Sequence, residues 1–172
     1  MSRLARAALV VAAAAALLSL MLRARGPGEQ AARPPAPAFA VTDLEGRRLA
    51  LSDLAGKVVL VDFWATWCEP CREEIPALVS LQRRYGSQGL QIVGISLDDD
   101  PAPVREFYAR YRMNYPVALG SAALAQQFGG ILGLPVAFVI DGGGRIRVKH
   151  VGQTAPAVFE KEIRSLLSSA PG

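Results

Sequence analysis

Two cysteines carry the chemistry that this sequence offers, and both lie in one short stretch, WATWCEPCREEIP, at residues 64–76. A structural zinc site normally needs four ligands, and Cys68 and Cys71 with the lone His150 supply at most three. Haem attachment needs a histidine directly after the second cysteine, where Arg72 stands. A purely structural disulfide would close a very small loop and restrain the unfolded chain only weakly. A redox-active pair is the interpretation that remains.

A helix that begins at Cys68 would make this cysteine reactive. Its sulfur would face the free N–H groups of the first helical turn and the positive end of the helix dipole. A thiolate is favoured there, and the thiolate is the form that attacks a disulfide. Pro70 would lie in the first turn, where its missing N–H costs nothing. Cys71, one turn along and nearer the core, would then resolve the mixed disulfide.

Short apolar runs alternate with helical patterns on both sides of this stretch. Residues 58–64, VVLVDFW, are typical of a strand buried on both faces, and a helix is expected from about Cys68 to Tyr85. The other expected elements are a hairpin at 39–51, strands at 91–97, 135–140 and 145–151, and helices at 101–112, 121–129 and 155–169. A β-α-β half followed by a β-β-α half predicts an α/β fold with a central sheet covered by helices on both faces.

The N-terminal residues have the composition of a targeting segment. Residues 7–22 are apolar apart from Ser19, and arginines stand before and after them. Arg23 and Arg25 follow the run where a small-residue cleavage site would lie, so an uncleaved signal anchor at 1–25 is favoured over a cleaved signal peptide. The anchor would place the rest of the chain outside the cytoplasmic membrane.

The charge of the chain lies almost entirely in this N-terminal part. A Pro/Ala-rich linker is expected at 26–36 and the folded domain at 37–172. The first 36 residues carry a net charge of +4, and the remainder has 14 basic and 14 acidic residues. A nucleic-acid-binding domain normally carries an excess of basic residues, so no nucleic-acid partner is expected.

Two longer motifs carry a family resemblance. VDFWATWCEPCREEIP, followed by GLPVAFVID, resembles the thioredoxin superfamily, most closely its membrane-tethered TlpA/ResA-like branch, over roughly residues 37–172. The resemblance implies a thioredoxin-like central mixed sheet flanked by helices, with an N-terminal hairpin and an N-terminal membrane helix. It implies that Cys68 is the exposed nucleophile and Cys71 the buried resolving cysteine, with their redox-active disulfide in place of any cofactor. Pro135 matches the family's cis-proline, which with Leu134 offers backbone to a bound substrate strand.

The resemblance extends to the apolar residues near the disulfide. Trp67 and Pro70 are expected to shape the surface that contacts the substrate, whereas Trp64 is expected in the core. Pro76 matches a helix-kinking proline that has no chemical role. Residues 136–137 are Val-Ala where the family commonly has two threonines, a departure that could alter substrate choice.

Three acidic residues could tune the thiols. Asp62 matches the buried aspartate of thioredoxin, which helps to move a proton from the resolving thiol, and Glu74 matches an acidic residue of the ResA-like members. A carboxyl group buried near a thiol should have a raised pKa and can relay a proton. The alternatives are that Asp62 is merely a polar strand residue and Glu74 part of a solvated helix face. Glu69 places negative charge beside Cys68, which opposes thiolate formation and favours a reductant.

Other polar residues receive structural interpretations. His150 lies in an alternating strand and is expected at the surface or at a sheet edge, without a catalytic role. The acidic run at 98–100 is expected to be a solvated loop that caps a helix.

The function predicted from these observations is that of an extracytoplasmic thiol:disulfide oxidoreductase that reduces protein disulfides, such as the CxxCH disulfide of an apocytochrome c. The family implies a membrane-embedded thiol reductase as its electron donor. A thiol oxidant that forms disulfides and a non-catalytic, membrane-tethered binding module remain alternatives. A thiol peroxidase of related fold would need a PxxxTxxC setting, which WATWCEPC does not supply.

Overall fold

The central strand forms because seven consecutive residues of the sequence are suited to burial on both sides. The computed structural model describes residues 33–169, and in it every residue of Val58–Trp64 is buried. The strands are β1 (Ala40–Thr42), β2 (Arg48–Ala50), β3 (Val58–Trp64), β4 (Leu90–Ser96), β5 (Val117–Leu119), β6 (Val136–Ile140) and β7 (Ile146–Val151). The helices are α1 (Glu69–Tyr85), α2 (Pro101–Arg110), α3 (Ala122–Gln127) and α4 (Pro156–Ser168), with short 3-10 turns at Leu51–Leu54 and Gly86–Gln88.

Five of these strands make one mixed sheet in the order β5-β4-β3-β6-β7. β3 runs parallel to β4 and antiparallel to β6, while β4 and β5 are parallel and β6 and β7 are antiparallel. β1 and β2 form a separate antiparallel pair, attached to the edge of the sheet by a bridge between Asp43 and Ala118. The expected α/β fold with a mixed central sheet is therefore confirmed.

The sequence prediction missed β5. Its three residues are too few to show a periodic pattern, and it forms by pairing with β4 through Gly94–Ser96. β5 extends the sheet by one parallel strand and gives β4 two neighbours, which is why β4 is nearly completely buried.

Helices cover both faces of the sheet and hold two apolar clusters. One cluster lies under α1 and α4 and includes Leu60, Ile75 and Phe159. The other lies under α3 and the chain before β3 and includes Phe63 and Phe138. Because neighbouring residues of a strand point to opposite faces, alternate residues of β3 contribute to different clusters.

The membrane prediction concerns residues outside this description. No helix within residues 33–169 is both long enough and apolar enough to cross a bilayer. The predicted anchor at 1–25 and most of the predicted linker at 26–36 lie outside the described residues.

Candidate active site

The two cysteines form a disulfide where β3 leads into α1. Cys68 is the residue before α1, and its sulfur accepts a hydrogen bond of 3.3 Å from the backbone N–H of Cys71. Pro70 lies in the first turn of the helix and is half-buried. The predicted start of the helix at Cys68 therefore agrees with the structure, and this sulfur does face the helix N-terminus.

The prediction of an exposed Cys68 is corrected by the structure. In this oxidised protein Cys68 is only 6% exposed, against 1% for Cys71. Its sulfur is turned inward against the first helical turn, which explains the low exposure. Cys68 remains the more accessible of the two sulfur-bearing residues, as a nucleophile that meets substrate first requires.

Trp67 provides exposed apolar surface directly before the disulfide. The residue is 69% exposed, whereas Trp64 is completely buried, as expected. Glu69, at the first position of α1, is also exposed. Substrate approaching Cys68 would therefore meet an indole ring and a carboxylate at the two neighbouring positions of the chain.

The Leu134–Pro135 bond is cis, as predicted. Phe63 of β3 pairs with Val136 of β6, so the bond lies at the end of β3 from which the Cys68 loop departs. The carbonyl oxygen of Pro135 accepts a hydrogen bond of 2.8 Å from the N–H of Gly152. Because a proline has no N–H and this carbonyl is already bonded, Leu134 is the better candidate for backbone pairing with a substrate strand.

Two carboxyl groups lie inside the protein on the α1 side of the sheet. Asp62 of β3 is 2% exposed, and Glu74, three residues after Cys71 on α1, is 4% exposed. Residues three apart on a helix share a face, so Glu74 and Cys71 point into the same region. The interpretation of Glu74 as part of a solvated helix face is therefore wrong.

Burial raises the pKa of both carboxyl groups. The pKa of Asp62 is raised well above its ordinary value, first by loss of hydration and then by the neighbouring Glu74. Burial raises the pKa of Glu74 as well, but the N–H of Thr154, 3.0 Å from its Oε1, and the nearby His150 oppose this. Asp62 thus favours the neutral form more strongly, and Glu74 is the better placed of the two to carry a charge.

His150 lies on the edge strand β7, as predicted, but it is not at the surface. Only 14% of its side chain is exposed, because Phe159 packs edge-on against the ring and Nε2 lies 2.9 Å from Oε2 of Glu162. A two-residue spacing places Val148 and His150 on the same face of β7, and Val148 packs on the core. That spacing was the sequence signal for a buried histidine.

The acidic run at 98–100 divides into two roles. Asp100 caps α2 by accepting a hydrogen bond from the N–H of Ala102, as expected. Asp98 is buried instead of solvated, and it accepts hydrogen bonds from the N–H and the hydroxyl of Thr66, at 2.9 and 2.5 Å. It also accepts one from the hydroxyl of Ser96 at 2.6 Å. Asp98 therefore ties the loop before Cys68 to the end of β4, a contact that the sequence analysis missed.

This arrangement can perform thiol–disulfide exchange. It combines a sulfur at a helix N-terminus, a second sulfur deeper in the core, and buried carboxyl groups whose raised pKa values suit them to hold or accept a proton. The disulfide between these sulfurs is the oxidised form of the site, and its reduction to two thiols takes up the two electrons that one exchange reaction transfers.

Comparisons with known proteins agree with this chemistry. Residues 32–149 match the model of the AhpC/TSA family. The thiol-disulfide oxidoreductase ResA of Bacillus thuringiensis subsp. konkukian is 33% identical over 131 residues, which are 76% of either chain. ResA of Bacillus subtilis is 36% identical over 111 residues, 64% of this chain and 62% of that protein.

Solved structures agree as well. A thiol:disulfide interchange protein of the thioredoxin family from Chlorobium tepidum superposes with a TM-score of 0.75 at 34% identity, covering 80% of this chain and 99% of the other. A putative thiol:disulfide interchange protein DsbE from Chlorobium tepidum gives a TM-score of 0.74 at 33% identity, over 78% and 96% of the two chains. With its disulfide, its cis-proline and its mixed sheet, the chain belongs to the thioredoxin-like AhpC/TSA family.

Proposed function

We propose that this thiol:disulfide oxidoreductase is a reductant of protein disulfides outside the cytoplasmic membrane. The observation that carries the proposal is the buried carboxyl group of Glu74, which lies on the same face of α1 as Cys71. Negative charge that is poorly screened by solvent disfavours thiolates nearby. Because reduction creates thiolates, a charged Glu74 favours the disulfide, which makes the dithiol a stronger reductant.

One feature of the site favours the opposite direction. The Cys71 N–H and the N-terminus of α1 both stabilise a thiolate on Cys68, and a stabilised thiolate makes an oxidant. An exposed helix N-terminus is worth about 1 kcal/mol or less. The Glu74 carboxylate acts where solvent screens little, and Glu69 places a further negative charge in the first turn of the helix. We therefore place the reductant first and keep the thiol oxidant as the second candidate.

The reaction begins with attack by the Cys68 thiolate on a target disulfide. A bond forms between Cys68 and one target sulfur, and the other target sulfur leaves with the electron pair and takes a proton from solvent. Cys71 then loses its proton and attacks the Cys68 sulfur, which releases the second target thiol and restores the Cys68–Cys71 disulfide. Two electrons have moved from the protein to the target, and a donor must return them before the next cycle.

The midpoint potential of the full-length protein, equilibrated in thiol/disulfide buffers, tests the direction of electron flow. A value near the thioredoxin end of the scale, about −270 mV, supports a reductant, and one near about −120 mV supports the oxidant. Glu74→Gln removes a buried charge and should make the potential less negative. Glu73→Gln is the matched control, because Glu73 is exposed on the same helix and should leave the potential nearly unchanged.

We further propose that the targets are extracytoplasmic proteins and include CxxCH disulfides of apocytochrome c type. The resemblance of WATWCEPC and GLPVAFVID to the ResA-like branch is what suggests this substrate class. The reduced protein should reduce an oxidised CxxCH peptide faster than the same peptide with serine in place of histidine. Equal rates for the two peptides would show a reductant without this preference.

The proposed location depends on the N-terminal segment. Residues 1–25 would be a single-pass membrane anchor. The electron donor would be a separate, membrane-embedded thiol reductase. The apolar run at 7–22 and its flanking arginines support the anchor. Full-length protein expressed in a bacterial host should sediment with membranes and be digested by protease added outside the cytoplasmic membrane. Protein found free after fractionation would indicate a cleaved signal.

A further inference from the structure

His150 lies in the same row of the sheet as Asp62. The strand register pairs Asp62 with Ala137 of β6, and Ala137 with His150 of β7. Residues at paired positions point to the same face of a sheet, here the face covered by α1 and α4. Only the methyl group of Ala137 stands between the two titratable side chains along this row.

Glu74 reaches the row from α1. Its Oε1 accepts a hydrogen bond of 3.0 Å from the N–H of Thr154, which follows β7 by three residues. Glu74 interacts electrostatically with both Asp62 and His150. The helix that begins with the active-site disulfide therefore brings a carboxyl group within electrostatic range of both the aspartate and the histidine.

The outer end of the row is held by α4. Nε2 of His150 lies 2.9 Å from Oε2 of Glu162, and the ring of Phe159 packs edge-on against the imidazole with centroids 5.1 Å apart. The side chains of His150 and Glu162 are 14% and 23% exposed, whereas Asp62 and Glu74 are almost completely buried. The solvent exposure of these titratable side chains therefore increases from Asp62 on β3 to Glu162 on α4.

We propose that His150 and Glu162 carry the proton between the buried carboxyl pair and solvent, and thereby set the rate at which Cys71 resolves a mixed disulfide. The inference rests on the proposed exchange reaction at Cys68 and Cys71. The titratable groups around His150 are Glu162 from α4 and Glu74 from α1, with Asp62 of β3 beyond Ala137 in the same row. An imidazole is suited to this task because one ring nitrogen can accept a proton while the other donates one.

The resolving step releases a proton inside the protein, and this proton must reach solvent. Cys71 gives its proton to the Glu74 carboxylate, and the sulfur's electron pair forms the Cys68–Cys71 bond while the bond from Cys68 to the target breaks. Glu74 is then neutral and cannot accept a second proton. Glu74 must therefore be charged when Cys71 gives up its proton, so transfer from Glu74 to the His150 ring, and from the imidazolium to solvent beside Glu162, has to precede or accompany each resolving step. His150 touches no substrate atom and is a positioning residue.

Single-turnover kinetics of the full-length protein test the route. The reduced protein is mixed with excess oxidised glutathione and quenched with acid, and mass spectrometry follows the glutathione adduct on Cys68 between about pH 5 and 8. In His150→Gln we expect adduct formation at the wild-type rate and resolution slowed about tenfold, less than the loss expected for a directly acting base. Glu162→Gln keeps a polar partner for His150 but removes its charge, and should slow resolution by a smaller factor.

Lys149→Gln is the matched control. Lys149 is the neighbouring residue on β7, faces the opposite side of the sheet over Phe138 and is exposed, so its loss should leave both steps unchanged. A second readout is the carboxyl carbon signal of Glu74 in NMR spectra, whose titration should move to higher pH in His150→Gln because a nearby cation is lost.

Two results would overturn the proton route: an unchanged pH profile of resolution in His150→Gln, or an unmoved Glu74 titration. Equal slowing of adduct formation and resolution would indicate a structural role and also count against it. If His150→Gln does not fold, as judged by its thermal unfolding, the profile of Glu162→Gln decides in the same way. A wild-type protein that forms no adduct with glutathione would instead refute the proposed exchange function.

Discussion

At the scale of single residues, the two buried carboxyl groups have unequal surroundings. Glu74 accepts a hydrogen bond from the N–H of Thr154, whereas Oδ1 of Asp62 has no hydrogen-bond partner among the described residues. A carboxylate needs donors to replace water, so the unpartnered group favours its neutral form. Environments that separate two pKa values in this way give one site both a proton donor and a proton acceptor.

Asp62 should make the stability of the oxidised protein depend on pH. Its pKa is higher in the folded chain than in the unfolded chain, so the folded state holds an extra proton between the two values. The contribution of Asp62 to the free energy of unfolding is therefore fully present below the pKa of the unfolded chain, about 3.9 for aspartate. This contribution is lost as pH rises through the pKa of the folded chain. The loss is about 1.4 kcal/mol for each unit by which the pKa is raised.

Asp62→Asn should remove this part of the pH dependence. The variant and the wild type should have similar free energies of unfolding near pH 4, by urea titration of the oxidised full-length protein, and the variant should be the more stable above neutrality. Glu74, whose pKa is also raised, leaves a smaller slope of the same sign in the variant. Parallel curves for the two proteins would show that Asp62 does not titrate differently in the folded state.

The two cysteines should be separable by trapping. In Cys71→Ser, Cys68 can still attack a target disulfide but nothing resolves the product, so mixed disulfides should accumulate on Cys68. In Cys68→Ser, disulfide reduction should fall at least about a hundredfold, because the nucleophile is gone. Mass spectrometry after incubation with oxidised glutathione measures both, and a stable adduct on Cys71 in Cys68→Ser would reverse the assignment of the two roles.

At the scale of elements, the site depends on how β3, β4 and α1 meet. β3 and β4 are parallel and pair over their full length, so their carboxyl ends lie together. The chain leaving β3 becomes the loop to Cys68, and the chain leaving β4 supplies Asp98, which bonds to that loop at Thr66. The position of the disulfide is therefore set by a contact between residues 32 apart in sequence.

Asp98→Ala should destabilise the protein and loosen the loop before Cys68. The substitution removes the acceptor for both Thr66 bonds and for the Ser96 hydroxyl, and hydrogen bonds to charged groups contribute about 1.5–3 kcal/mol each. Because these bonds share one carboxylate and are not additive, we expect a loss of about 3 kcal/mol in the free energy of unfolding. Urea titration of the full-length protein measures it.

Asp99→Ala is the control for this change, since the neighbouring aspartate is exposed. Its free energy of unfolding should stay within about 0.5 kcal/mol of the wild type. A similar loss in both variants would mean that net charge in the acidic run, and not the Thr66 contact, is responsible.

The elements differ in how far sequence could predict them. β3 and α1 were predictable because local features define them: a continuous apolar run, and a cysteine and a proline at a helix start. β5 was not, since three residues acquire strand geometry only by pairing with β4. The burial of Asp98 and the His150–Glu162 contact depend on which strands and helices are neighbours, and no local pattern encodes that.

At the scale of the whole molecule, folding and oxidation belong to one thermodynamic cycle. The free energy by which the disulfide stabilises the fold equals the free energy by which the fold stabilises the disulfide. In a reductant the fold favours the disulfide, so the oxidised protein must be more stable than the reduced protein. For this two-electron couple, a difference of 30 mV between the folded and unfolded chain corresponds to about 1.4 kcal/mol.

We therefore predict that the oxidised full-length protein unfolds at a higher urea concentration than the reduced protein. The loop between Cys68 and Cys71 is too short for chain entropy to supply much of this difference in stability. The sign of the difference therefore shows mainly whether the folded site stabilises the disulfide or the two thiols. A variant with both cysteines changed to serine controls for effects of the reducing agent and should unfold identically in its presence and absence. If the reduced protein is the more stable, the fold favours the dithiol, the helix N-terminus at Cys68 outweighs the Glu74 carboxylate, and the chain is an oxidant.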